Sequence, residues 1–216
     1  MDIPFSGWRE GLPHYLPWFA VALVVTVGLR YLGHGWVAVP FWVVAFAALL
    51  FFRDFPRQGA AGPDELFSPA DGTVVAIETL EETPHYDGAA MRISIFMSVF
   101  NVHVNRAPFD GVVREVRYAP GAYKDARDPE ASRVNESSAL WLETERGPVS
   151  VRQISGAVAR RIVCRARPGM GLKRGEKFGM IKFGSRVELY LPPGSQACVP
   201  VGAKTKAGLT ILARFP

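Results

Sequence analysis

Cysteine is scarce in this sequence, which contains only Cys164 and Cys198 among 216 residues. Two isolated cysteines match neither the paired spacing of a structural zinc site nor the dense framework of a disulfide-stabilised small domain. We therefore predict that both are reduced structural thiols. The sequence indicates no metal site.

Charged residues are almost absent from the first 52 positions. Two runs without any charge, residues 16–29 and 36–52, are separated by the glycine-containing stretch RYLGHG, which is typical of a turn. Each run is short for a spanning helix, which needs about 20 apolar residues. Tryptophans in or beside the runs are typical of membrane interfaces; they are Trp8, Trp18, Trp36 and Trp42. The pattern predicts a helical hairpin embedded in a bilayer, and the alternative is a pair of buried core helices.

The few charges ahead of Arg53 cancel, so the net charge of +5 belongs entirely to residues 53–216. A basic domain tethered to a bilayer suits an anionic lipid surface. Arg53 and Arg57 directly follow the second apolar run, so the positive-inside rule places the remainder on the cytoplasmic face of the inner membrane. Nucleic acid could also attract such a charge, but the sequence has no recognition helix or aromatic-basic motif. We expect no nucleic-acid binding.

A sustained helical period is also missing after residue 66, where short β-type runs take its place. These are TVVAIETL, MRISIFMSVF, GVVREVRY, SALWLETE, VSVRQISG, RIVCRAR, RVELYLP and LTILARF. Glycine or proline punctuates most of the intervals, as in a barrel or sandwich. The predicted fold class is α+β: an N-terminal hydrophobic helical hairpin with the start of a linker (residues 1–57), then a mainly-β, barrel-sandwich-like domain (residues 58–216). The polar stretch 119–138 is long for a loop, which favours a functional lid or disorder.

Three short segments hold residues that could perform chemistry. Asp71 lies in SPADGTVVAI, His103 in FNVHVNRAP, and Ser185 follows Gly184 in GMIKFGSRVELYLPPG. Each alone has an ordinary explanation, since Asp-Gly is a turn dipeptide, a lone histidine in an apolar strand is often a core residue, and Gly-Ser is common in loops. Together they supply the acid, imidazole and hydroxyl of a serine-type triad.

The Gly-x-Ser-x-Gly elbow of serine hydrolases is missing, however. Ser185 instead follows a glycine directly and opens a strand, which suits attack on its own preceding peptide bond. The Ser185 hydroxyl would add to the Gly184 carbonyl, and glycine tolerates the strained backbone this requires. Elimination from the resulting ester, followed by hydrolysis of the dehydroalanine, would leave a pyruvoyl group at the new amino terminus.

These segments resemble the phosphatidylserine decarboxylases in their short bacterial form. The matching stretches are FFRDFPR, SPADGTV, MSVFNVHVNR, NES at 135–137, QISGAVARRIVC and GEKFGMIKFGSRVELYLP, which run from residue 51 to about 192. The resemblance implies that Asp71, His103 and Ser185 form a self-cleavage triad in a catalytic domain. It also implies cleavage between Gly184 and Ser185, with Ser185 becoming the covalent pyruvoyl cofactor.

The resemblance further implies decarboxylation of phosphatidylserine to phosphatidylethanolamine through a Schiff base, as a step of phospholipid biosynthesis. The large and small chains are expected to stay associated, and a homo-oligomer is compatible with the resemblance. Long-form members carry a histidine where this chain has Phe100, so the proton donor is open, with His103 as the candidate. A basic group could meet phosphates or simply face solvent; it comprises Arg160, Arg161, Arg165 and Arg167.

Two other functions compete with this interpretation. The C-terminal run GLKRGEKFGMIKFGSRVELYLPPG, followed by GAKTKAGLTILARF, is similar to the hammerhead of lipoyl-type carriers, which would make the chain a membrane-anchored adaptor. A carrier needs a modifiable lysine in a Met-Lys context at a hairpin tip, which this sequence lacks. The third candidate is a membrane serine hydrolase that uses Ser185. Denaturing electrophoresis distinguishes the three, because only the decarboxylase should appear as two chains.

Overall fold

The computed structural model describes residues 5–157, 161–182 and 185–216. Ser6–Phe55 form one compact unit, and Pro56–Pro216 make up the body of the other. The assignment of residues 1–57 to a membrane hairpin and of residues 58–216 to a catalytic domain stays a prediction, because two compact units do not show what either unit does.

The first unit is a helical hairpin, as predicted from the two apolar runs. Helix α1 (Gly7–Tyr31) is followed by a 3₁₀ turn (Gly35–Ala38) and helix α2 (Val39–Phe51). Small side chains allow the helices to approach, since Ala22 and Ala45 are fully buried. Trp42 Nε1 donates a hydrogen bond to Thr26 Oγ1 at 2.9 Å, which joins the two helices.

Among the described residues, α1 is long and apolar enough to cross a membrane by length and composition, whereas α2 belongs to a shorter apolar segment. Large apolar side chains are exposed along both helices, among them Leu16, Val24 and Val43. Core helices of a soluble protein bury such side chains. The exposure therefore favours the bilayer interpretation over a buried pair of core helices.

The second unit is mainly β, and its described residues include one short helix, α3 (Ala131–Val134). Its strands are β1 (Glu65–Phe67), β2 (Gly72–Leu80), β3 (Ala90–Met97), β4 (Val104–Arg106), β5 (Gly111–Ala119), β6 (Ser137–Thr144), β7 (Gly147–Ile154), β8 (Arg161–Cys164), β9 (Gly171–Leu172), β10 (Lys177–Lys182), β11 (Ser185–Leu191), β12 (Gln196–Ala197), β13 (Lys204–Thr205) and β14 (Ile211–Arg214). Every predicted β-type run contains one of these strands, and the α+β fold class is confirmed.

The largest sheet is antiparallel, with the strand order β13-β2-β3-β11-β7-β6-β5-β9. Two three-stranded sheets, β1-β14-β12 and β4-β10-β8, complete the domain. All residues of β11 are buried, because both faces of this central strand are covered. Val187 and Leu189 lie in the apolar core, whereas Arg186 and Glu188 alternate onto the opposite face.

That opposite face is a buried polar layer. Glu188 Oε1 accepts a hydrogen bond from Ser132 Oγ at 2.5 Å, and Glu188 Oε2 lies 3.4 Å from Arg152 Nη1. Ser132 belongs to α3, inside the polar stretch 119–138, so this stretch supplies part of the cover over the sheet. Its predicted role as a functional lid stays a prediction.

The large sheet has two ends, which are named here by their residues. At the Ser185 end, β2 begins, β3 ends at Met97 and β11 begins at Ser185. The opposite end is called the hairpin end after the β6–β7 hairpin, not after the N-terminal helices. There β3 begins, β11 ends at Leu191, and β6 turns into β7 through Glu145 and Arg146. The position of a residue along its strand therefore decides which end it joins.

Candidate active site

The Ser185 end brings together residues that are far apart in the sequence. Asp71 directly precedes β2, and Ser185 lies opposite Met97 in the β11–β3 register. Gly72 approaches β3 so closely that a Cβ there would lie 2.3 Å from the Phe96 carbonyl oxygen. Only glycine fits this contact, which explains why the Asp-Gly pair opens the strand.

Ser185 is fully buried at the start of β11. Its Oγ donates to Met97 Sδ at 3.4 Å. A thioether is a weak acceptor, so this contact does not hold the hydroxyl strongly. Gly184, the other half of the predicted cleavage site, lies outside the described residues.

His103 is fully buried immediately before β4. Its backbone carbonyl accepts a hydrogen bond from Ile181 N at 3.3 Å, which ties it to β10 just ahead of Ser185 in the chain. Its Nδ1 lies 2.9 Å from the Asn101 carbonyl oxygen. Because a carbonyl can only accept, Nδ1 carries the proton, and Nε2 is the ring nitrogen that can act as an acceptor. This is the tautomer that a general base at Nε2 requires.

Asp71 is held by an arginine and a backbone amide. Arg57 Nη1 and Nη2 donate to its two carboxylate oxygens at 2.5 and 2.9 Å, and Ala207 N donates to Oδ1 at 2.8 Å. The exposed fractions of the Arg57 and Asp71 side chains are 14% and 10%. Such a bidentate, largely buried pair fixes both the position and the plane of the carboxylate.

The structure thus places the three predicted site residues at one end of the sheet but bonds each to a different neighbour. Asp71 pairs with Arg57, His103 with the Asn101 carbonyl, and Ser185 with Met97. The Nδ1 atom that an orienting carboxylate would contact is occupied by a backbone carbonyl. Their roles as a self-cleavage triad stay a prediction.

Sequence reasoning missed three polar residues at this end: Asn105, Gln153 and Ser155. Gln153 Nε2 donates to Asn105 Oδ1 at 2.8 Å, and Asn105 Nδ2 lies 3.8 Å from Met97 Sδ. Within the described residues, the buried Gln153 Oε1 and Ser155 Oγ have no hydrogen-bond partner. Buried polar atoms are normally paired, so these two are available to a ligand. The available signal was Gln153 itself, a polar residue at a core-facing position opposite Val187.

The stretches NES and QISG also meet at the Ser185 end. Asn135 Nδ2 donates to the Ser155 carbonyl at 2.8 Å, and Ser155 N donates to the Glu136 carbonyl at 2.9 Å. The first contact uses the buried amide of Asn135, so the end of the polar stretch 119–138 is pinned beside β7. Two of the sequence stretches that carry the resemblance therefore form one local structure.

The remaining predicted groups have simpler surroundings. Arg161, Arg165 and Arg167 are exposed, and Arg160 lies outside the described residues, so their contact with phosphates stays a prediction. Cys164 is a free thiol, and burial raises its pKa, which disfavours the reactive thiolate.

Known proteins with similar sequences identify the family. The family model for phosphatidylserine decarboxylase matches residues 45–213. Proteins named phosphatidylserine decarboxylase proenzyme from Nitrosomonas eutropha and Nitrosomonas europaea are each 46% identical over 209 residues. The protein of the same name from Burkholderia mallei is 45% identical over 209 residues. In all three cases the match covers 96% of this chain and 94% of the relative. The chain belongs to the phosphatidylserine decarboxylase family.

Proposed function

We propose that this chain is a self-processing, pyruvoyl-dependent decarboxylase that converts phosphatidylserine to phosphatidylethanolamine and CO₂ in phospholipid biosynthesis. The observation that carries the proposal is that Asp71, His103 and Ser185, from three separate family stretches, are all buried at one end of the sheet. Family membership supports the same reaction. Within the part of the chain that the structure describes, nothing favours the adaptor or the serine hydrolase.

The first reaction is cleavage of the chain itself. His103 Nε2 accepts the Ser185 hydroxyl proton while Oγ bonds to the Gly184 carbonyl carbon. The carbon–nitrogen bond then breaks, the nitrogen takes up the proton, and an ester joins the two parts. Loss of the Ser185 Cα proton expels the Gly184 carboxylate, and hydrolysis of the resulting enamine releases ammonia. The Asn101 carbonyl orients the imidazole. The charge of Asp71 is balanced by Arg57, and the Arg57–Asp71 pair holds the start of β2 in place at the Ser185 end.

The pyruvoyl group would stand at position 185 and supply a carbonyl that withdraws electrons from the breaking carbon–carbon bond of the substrate. The surroundings of Ser185 fit such a group, because the position is fully buried and excludes water. The unpaired atoms Gln153 Oε1 and Ser155 Oγ can bind polar groups of the substrate. His103 can return a proton to the substrate carbon after CO₂ leaves.

The hairpin anchors this domain to the inner membrane, with the catalytic part on the cytoplasmic face. The apolar composition of α1 and its exposed side chains support the anchor. Arg57 is neutralised by Asp71 within the β domain, so Arg53 carries the positive-inside argument for orientation. The two processed chains stay associated because β11 lies between β3 and β7 in the large sheet.

Intact mass spectrometry under denaturing conditions tests the self-processing. We expect a large chain ending at Gly184 and a small chain of residues 185–216 that lacks a free amino terminus. Ser185→Ala should remain a single folded chain, since the hydroxyl contributes only a weak bond to Met97. Ser195→Ala, at the hairpin end, is the matched control and should be processed normally. A single intact chain that still decarboxylates phosphatidylserine would refute the proposal.

Removal of residues 1–52 tests the anchor separately. Self-cleavage should survive, because Arg57, Asp71, His103 and Ser185 all remain. Turnover of phosphatidylserine in vesicles should fall far more than turnover of a short-chain soluble analogue, since the tether raises the effective concentration of headgroups. Equal vesicle activity with and without the hairpin would show that the helices do not serve as an anchor.

A further inference from the structure

The turn between β3 and β4 presents two apolar side chains outward. Val99 is 43% exposed and Phe100 is 84% exposed. Asn101 Oδ1 accepts hydrogen bonds from Ser98 N and Ser98 Oγ at 2.9 and 2.8 Å, and Asn101 N donates to the Ser98 carbonyl at 2.9 Å. Residues 98–101, called here the Asn101 turn, are therefore pinned at both ends, and their tip is held outward.

Single exposed apolar residues are common on soluble proteins and need no explanation. Here, however, two neighbours share one pinned turn, and the carbonyl of Asn101 in the same turn bonds His103 Nδ1. Displacement of the tip would therefore act on the proposed base. The apolar tip is coupled to the candidate active site by a direct hydrogen bond.

Basic side chains lie at the same end of the sheet. Strand β13 pairs with β2, with Lys204 opposite Thr73, and Thr73 lies opposite Phe96 on β3. β13 runs toward the Ser185 end, so Lys206 lies farther in that direction, and both lysines are exposed. Exposed apolar side chains beside lysines are the combination with which proteins bind the interface of an anionic bilayer.

The hairpin end offers a contrast on the same sheet. Val112 on β5 is 51% exposed, comparable to Val99, but it lies opposite Glu143 rather than beside lysines. Glu143 shares Arg114 with Asp87, so this group of three charges has a net charge of −1 and does not attract anionic headgroups. Val112 is thus a matched exposed residue that should not contact such a membrane.

We propose that the Asn101 turn inserts Val99 and Phe100 into the headgroup region of an anionic phospholipid bilayer, with Lys204 and Lys206 beside it. The Ser185 end of the sheet then faces the lipid surface that supplies the substrate. The choice of substrate lipid rests on the proposed function, whereas the contact itself requires only an anionic bilayer. The flanking lysines favour an anionic membrane as the partner of this turn.

A fluorescent label placed on the turn tests the contact without using catalysis. In the full-length chain carrying Cys198→Ser, the variants Phe100→Cys and Val112→Cys are labelled with an environment-sensitive fluorophore. The unsubstituted Cys198→Ser chain corrects for labelling of Cys164. The proteins are reconstituted into vesicles of phosphatidylcholine with phosphatidylglycerol, and into pure phosphatidylcholine vesicles. Phosphatidylglycerol is anionic but has no amine to decarboxylate.

We expect a blue-shifted emission and quenching by spin-labelled lipid at position 100 in the anionic vesicles, with a smaller effect in neutral ones and none at position 112. Raising the salt concentration should reduce the effect. Equal, water-like emission at both positions would overturn the proposal. A shift that follows protein concentration rather than lipid composition would also overturn it, by showing that a second copy covers the turn.

Turnover adds a second measurement. The ratio of vesicle turnover to short-chain soluble turnover should fall several-fold for Phe100→Ser, little for Phe100→Leu, and not at all for Val112→Ser. An unchanged ratio for Phe100→Ser would contradict the contact. Failure of the proposed function gives a different result. If the label at position 100 is buried in the bilayer but the chain neither cleaves itself nor decarboxylates, the membrane contact stands and the decarboxylase function is wrong.

Discussion

The two ends of the large sheet consist of the same strands but differ in what they bury. The Ser185 end buries Asp71, His103, Ser185 and Gln153, whereas an exposed ion pair, Arg146 with Asp64 at 2.7 Å, lies at the hairpin end. Buried polar groups cost free energy unless they are paired. We therefore assign the proposed chemistry to the Ser185 end and expect the other end to serve mainly the stability of the fold.

The sharpest test of this comparison uses two histidines from opposite ends. His103→Ala removes the proposed base at the Ser185 end, so self-cleavage should slow by about three orders of magnitude or more, as for the loss of a triad base. His85→Ala, in the β2–β3 hairpin, should cleave at the normal rate. Time courses of denaturing electrophoresis measure both rates. If His103→Ala cleaves at the normal rate, His103 is not the base and serves only as a core residue.

A smaller effect is expected from replacing one arginine at each end of the sheet, Arg57 or Arg146. Arg57 pairs with Asp71 in a largely buried contact, whereas Arg146 pairs with Asp64 with both side chains about half exposed. Breaking a buried pair leaves an uncompensated charge and costs about 3 kcal/mol, whereas an exposed pair contributes less than about 1 kcal/mol. We expect Arg57→Ala to lower the unfolding free energy accordingly and to slow self-cleavage. Arg146→Ala should change neither greatly.

The variant Arg57→Lys tests whether Arg57 positions Asp71 for self-cleavage or only stabilises the fold. Arg57→Lys keeps the charge but loses the bidentate geometry, so its cleavage rate should lie between those of the native chain and Arg57→Ala. Asp71→Asn should leave unprocessed chain. Urea denaturation measures the stability of each uncleaved variant. If Arg57→Ala is destabilised but cleaves normally, the pair serves the fold alone.

The smallest expected effect is the pH dependence of stability that arises from His85, at the hairpin end. Burial, with a contribution from the nearby Arg152, lowers the pKa of His85 from 6.5 to about 4. Between these values the unfolded chain binds a proton that the folded chain excludes, so stability is full above about pH 6.5 and falls as the pH drops toward 4. His85→Gln should lose less stability than the native chain between pH 7 and 5, without changing self-cleavage at pH 7. An identical pH dependence in both proteins would contradict this assignment.

Several features of the fold escaped prediction for identifiable reasons. The run MRISIFMSVF suggests a strand that continues to Phe100, but β3 ends at Met97. Ser98 N donates to Asn101 Oδ1, and this local hydrogen bond turns the chain away from the strand. Strand β10 contains Gly179, which a sequence pattern takes for an interruption. In the fold, a Cβ there would lie 2.1 Å from the Val163 carbonyl oxygen, so the glycine permits close strand approach.

The apolar hairpin, the β alternation and the types of residue available for chemistry could be predicted from the sequence, because they depend on local composition and periodicity. Local patterns do not predict that Asp71 pairs with Arg57, or that Gln153 donates to Asn105 while its buried Oε1 has no partner among the described residues. These outcomes depend on the register between distant strands, which is set by burial across the whole sheet rather than by neighbouring residues. A pattern along the chain predicts which side chains face the core, but not which of them meet there.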